Sequence, residues 1–84
     1  MKYSFPAIFY EDENEPGFIV ISFPDLIGVG SECEKGKEIE TAKEVLELVL
    51  SSSPFRRLTN PTDIKYIKKY NPKCRVELIE VEVD

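Results

Sequence analysis

Two spacings of apolar residues divide the chain. From Tyr3 to Tyr10, and again from Phe18 to Phe23, aromatic and β-branched residues crowd together as they do in strands. Glu11 to Gly17 is acidic and closes on Pro16-Gly17, which predicts a hairpin loop and antiparallel pairing. Pro6 has no N–H to give to a ladder, so it belongs at a strand start, an edge or a bulge. Pro24-Asp25-Leu26-Ile27-Gly28 breaks the run, and Val29 to Cys33 reads as a short third strand.

From about Lys37 the spacing becomes helical. Ile39, Ala42, Leu46, Val49 and Leu50 form one stripe with Val45 on its flank, and Ser51-Ser52-Ser53-Pro54 ends the helix. Glu40, Glu44 and Glu47 share a neighbouring face, and Leu48 falls roughly opposite Ile39. Ser31 and Glu34 have capping-box spacing, but Gly36 would then sit inside the helix, so the start is expected near Gly36 instead. Asn60-Pro61-Thr62 predicts a turn, with Thr62 a candidate cap for a short helix from Asp63 to Tyr70. Asn71-Pro72 stops that helix, and Cys74 to Val83 is the last strand. The expectation is one α+β domain over residues 1–84, ordered β-β-β-α-(short α)-β in two layers.

One long helix covers one face of a sheet, so the other face should alternate to polar. It does not. Phe5, Ala7 and Phe9 oppose Ile8 and Tyr10; Ile19, Ile21 and Phe23 oppose Phe18 and Val20; Val76 and Leu78 oppose Ile79, Val81 and Val83. Either a bulge near Leu78-Ile79 or burial on both sides explains the last strand. Singly exposed apolar residues are common and the short helix could pack over this face, but two-sided apolar strands in so short a chain more often mark an interface, closed by self-association or by a partner protein.

Charge adds the kind of partner. The net charge is −5, but residues 56–75 hold seven basic side chains and one acid, leaving four bases against fifteen acids elsewhere. A predominantly acidic surface favours a basic partner. Arg56, Arg57, Lys65, Lys68 and Lys69 with Tyr66 and Tyr70 carry the opposite alternative, a nucleic-acid-binding segment. No apolar run is long enough to span a membrane, and no signal-peptide pattern precedes the first strand, so a cytoplasmic protein is expected.

Candidate chemistry is sparse. The chain has no histidine, so it lacks the commonest general base and any Ser-His or Cys-His pair. Cys33 and Cys74 have no metal-ligand spacing and read as free thiols, and there is no phosphate-binding glycine loop. Asp12, Asp25 and Glu32 could approach one another at strand ends, yet sixteen acids in 84 residues make such proximity ordinary. The expectation is a binding protein with no catalytic residues, no metal and no cofactor.

Phe18 to Gly28, with its Phe23-Pro24-Asp25-Leu26 run, resembles the N-terminal domain of HicB-type antitoxins, where a hydrophobic strand enters Phe-Pro-Asp-Leu-Pro-Gly-Cys. Phe5-Pro6-Ala7-Ile8-Phe9-Tyr10-Glu11 is similar to that family's Tyr-Pro-Ala-Val-Phe-Glu segment. Ile39 to Leu48 is similar to its Ala-Lys-Glu-Ala-Leu-Glu-Leu helix. The chain departs at Val29, where the family has cysteine, at Cys33-Glu34-Lys35-Gly36 before the helix, and at Glu38, where alanine is common. The resemblance implies a partial ribonuclease H-like β-β-β-α-β fold without the nuclease's carboxylates. It also implies a homodimer or higher homo-oligomer, and a partner toxin of the HicA type, a small basic mRNA-cleaving protein neutralised by occlusion. With the chain read as ending at the fourth strand, the family's C-terminal DNA-binding domain is expected to be missing, and direct DNA binding is not expected. The expected partner contacts are Ile8, Tyr10, Asp25, Leu26, Glu40, Glu44, Glu47 and Leu48.

Overall fold

The computed structural model describes residues 2–26, 28–52 and 61–83. Strands β1 (Lys2–Glu11), β2 (Phe18–Ser22) and β3 (Gly30–Glu34) are followed by helix α1 (Glu38–Ser51), helix α2 (Ile64–Tyr70) and strand β4 (Arg75–Glu82). The fold is α+β. All three pairings are antiparallel and the strand order is β3-β2-β1-β4.

The alternation in the strands decides what lies beneath α1. Phe5, Ala7 and Phe9 of β1, Ile19 and Ile21 of β2, and Ile79 and Val81 of β4 are buried together, with Phe23 and Val83 just beyond the strand ends. Ala42, Leu46 and Leu50 close this core from α1, all fully buried, and Ile39, Val45 and Val49 pack on its margin. The helical stripe is the one the spacing predicts.

Register explains two oddities. β1 pairs with β4 without interruption from Lys2↔Glu82 to Phe9↔Arg75, so there is no bulge at Leu78-Ile79. Burial on both sides is the answer: Val76 is buried yet stands outside the α1 core. Pro6 lies inside β1, but β2 ends at Ser22, opposite Ile8. At Pro6 only β4 runs alongside, so β1 is locally an edge there and tolerates the missing donor.

The start of α1 differs from expectation. Ser31 sits within β3, Lys37 occupies the cap position, and no side chain caps the helix in the usual way. Gly36 turns the chain at φ +103°, a conformation that suits glycine. Glu38 then reaches back, its Oε2 accepting the Gly36 N–H at 2.6 Å, while its Oε1 meets Arg75 of β4 at 3.1 Å. The backbone N–H groups of Glu38 and Gly36, with Arg75 adding to them, hold this carboxyl below the ordinary glutamate range. A lowered acid pKa adds stability above the unfolded value that disappears as pH falls through the folded one. Glu38→Gln should therefore narrow the gap between urea midpoints at about pH 7 and about pH 3. An unchanged gap would show that the reach-back contact contributes nothing.

The segment before β3 places another carboxylate. Leu26 N–H donates to the Phe23 carbonyl, and Val29 N–H to the Leu26 carbonyl, making two successive turns. Gly28 at φ +81° supplies the left-handed position of the second. The turns fold Leu26 under the sheet and leave Asp25 half-buried beside the start of α2. There the Thr62 N–H donates to Asp25 Oδ2 at 2.9 Å and the Thr62 hydroxyl to Oδ1. Thr62 is thus occupied, and the α2 cap is Asp63, accepting from the Lys65 N–H at 2.9 Å. Losing the Asp25–Thr62 clasp should cost about 1–2 kcal/mol. In Asp25→Ala, hydrogen exchange should quicken in α2 before it does in β1; equal protection of α2 in both proteins would contradict this.

Candidate protein-docking surface

The face of the sheet away from α1 holds the apolar side chains that the pattern left without cover. Pro6 and Val76 are buried there within the single chain. α2 packs against β4, and its half-buried Ile64 and Ile67 stand outside the α1 core, so part of this face is roofed by the chain itself. The surplus is smaller than the alternation predicts. Ile8, Phe18 and Val20 remain half-buried, while Tyr10 and Leu78 are 47% and 52% exposed.

Around Tyr10 these residues form a site. Tyr10 lies opposite Val20 in the β1–β2 register, and Val20 lies opposite Glu32 in β2–β3. A shallow depression of 330 Å³ is lined by Tyr10, Val20, Glu11, Asp12, Glu13 and Asn14. Its floor is an aromatic ring and an aliphatic side chain; its rim is carboxylate.

One of these carboxylates, Asp12, meets Glu32 of β3 across β2, beside the depression. Asp12 is the first residue after β1; its N–H donates to the Phe18 carbonyl at 3.0 Å, and its Oδ1 accepts the Asn14 N–H at 2.8 Å. The Asn14 N–H, followed by a hydrogen bond with Glu32, lowers the Asp12 pKa. The same contact with Asp12, followed by desolvation and the charges of Asp12 and Glu15, raises that of Glu32. Asp12 therefore keeps the charge and Glu32 is the first of the pair to take a proton. Two carboxylates in contact gain more from an added cation than either would alone.

The other expected contacts do not join this surface. Glu40, Glu44, Glu47 and Leu48 are exposed on the outward side of α1, across the core from Tyr10, and Leu48 is 73% exposed. Leu26 is 1% exposed and belongs to the core, so it is no contact residue. Its two turns draw it inward, where the motif alone suggested an open loop. Asp25 is held by Thr62 and does not meet Asp12 and Glu32. Among the described residues no group of three or more possible metal ligands gathers.

Comparison of the chain with family models, curated proteins and solved structures found no match. Of the basic segment, Arg56 and Arg57 lie outside the described residues, while Lys65, Tyr66, Lys68, Lys69 and Tyr70 are exposed on α2. Cys33 and Cys74 are free and half-buried. No helix among the described residues is long and apolar enough to cross a membrane.

Sequence reasoning named Ile8 and Tyr10 as contacts but not Leu78, and it named Asp12 and Glu32 only together with Asp25, as acids able to approach at strand ends. The period-2 pattern of β4 was signal enough for Leu78. The acid pair depends on register across three strands, which no local pattern carries.

Proposed function

We propose that this chain is an antitoxin-like, non-catalytic protein that binds and covers a small basic mRNA-cleaving protein of the HicA type. The observation that carries the reading is the Tyr10–Val20 floor within an acidic rim. An aromatic face flanked by carboxylates suits a lysine or arginine side chain of a basic partner, through contact with the ring and with the acids together. Inhibition then needs no chemistry from this chain, only enough covered surface to exclude RNA from the partner. The resemblance of Phe5–Glu11, Phe18–Gly28 and Ile39–Leu48 to HicB-type sequence supports the same partner class. In this reading Glu40, Glu44, Glu47 and Leu48 form a separate surface on the far side of the domain, open to a further copy of the chain in a homodimer or larger assembly.

The test is genetic and then biochemical. The product of the neighbouring reading frame, expressed alone, should arrest growth, and co-expression of this chain should restore it. Normal growth with the neighbour alone would remove the proposal.

A further inference from the structure

We infer that the outward side of α2 binds short single-stranded nucleic acid, with Tyr66 and Tyr70 as a stacking platform beside a lysine row. The inference stands apart from the toxin reading and survives its failure. Ile64 and Ile67 turn toward the domain, which leaves the rest of this helix in solvent. Tyr66 and Tyr70 are one turn apart on one side and are 59% and 75% exposed. Lys65 and Lys69, also one turn apart, form a parallel row next to them, at about 100° around the helix axis. Each row spans about 6 Å of helix, so rings and cations run side by side over the same length.

Two observations set this surface apart from an ordinary solvated helix. Among the described residues, Lys65, Lys68, Lys69 and Lys73 make no ion pair; Lys37 and Lys43 make none either, but they stand in sequence among Glu34, Glu38, Glu40, Glu44 and Glu47. The one acid in the segment, Asp63, is spent on capping the helix. Lys69 Nζ lies 6.0 Å from the Tyr70 ring centre, so the two rows touch. Unpaired cations attract an anion. Large exposed rings at matching spacing ask for flat partners, which an acidic peptide lacks and a base supplies. A duplex hides its base faces, so a single strand is the better complement. The acidic remainder of the molecule opposes long polyanions and favours short ones.

The test uses the full chain and fluorescence anisotropy with labelled oligouridylate and oligodeoxythymidylate of about 12 nucleotides at low salt. Binding of either oligomer supports the site, and the difference between them reports whether the ribose hydroxyl contributes. Tyr66→Ala with Tyr70→Ala should weaken binding at least about tenfold, and Tyr66→Phe with Tyr70→Phe should keep it. Lys65→Gln with Lys69→Gln should flatten the salt dependence by about 1.4 in log–log slope. Circular dichroism melts should match the parent protein, because all four side chains are exposed. The inference is overturned by absence of binding at low salt, by alanine variants that bind unchanged, or by polyglutamate of equal charge binding as tightly.

Discussion

Leu46→Ala should lower the free energy of unfolding by about 2–5 kcal/mol, whereas Leu48→Ala, two residues on, should leave it within about 0.5 kcal/mol. Both substitutions remove the same atoms from the same helix, so propensity differences cancel. They differ in place. Leu46 is fully buried with Ala42 and Leu50 in the core that α1 closes over the sheet; Leu48 is 73% exposed. A domain of 84 residues has a total stability of about 4–13 kcal/mol, so the first variant approaches the limit of folding. Urea denaturation followed by circular dichroism measures both, and equal midpoints would mean that α1 does not pack by its Ala42–Leu46–Leu50 stripe.

Tyr10→Ala should weaken binding of the proposed basic partner by about 30-fold or more, the loss expected for a central aromatic anchor of roughly 2 kcal/mol. Tyr10 is half exposed and stands opposite Val20 of β2, outside the core beneath α1, so its removal should barely disturb the fold. Asp12→Asn and Glu32→Gln should act differently. They weaken the field that draws a cation to the rim, so the association rate and its salt dependence should fall more than the dissociation rate rises. Titration calorimetry and stopped-flow mixing with the partner separate the two effects. Full affinity in Tyr10→Ala, together with a large loss in Leu48→Ala or Glu44→Gln, would move the docking surface to the other side of the molecule.

Much of the fold was legible along the chain. The Ile39–Leu50 stripe placed α1, and strand parity put Val76 and Leu78 on one face and Ile79, Val81 and Val83 on the other. Each depends on a period that a short window displays. What the chain concealed depends on contacts distant in sequence or on choices between similar residues. Thr62 and Asp63 are both good cap residues, and only the Asp25 carboxylate, 37 positions earlier, settles which of them is free. Leu26 looks like an exposed loop residue until two consecutive turns are counted. Helix α1 begins without a side-chain cap, so no motif could mark its first residue. Within the candidate site, Tyr10 and Ile8 followed from alternation and the strand ends allowed Asp12, Asp25 and Glu32 to approach, but only the register with β2 between them decides that Asp12 and Glu32 are the two that meet.

The sheet order has a consequence for how the protein is made. β1 is made before the other three strands, yet one of its two neighbours is β4, the fourth in chain order, and Lys2 lies opposite Glu82. A nascent chain can form the β1–β2–β3 meander early, but Phe5 and Ala7 keep an open flank until residues 75–82 emerge. Any surface built on this sheet is therefore completed only once β4 has been made, and a translation product interrupted before residue 75 would lack it.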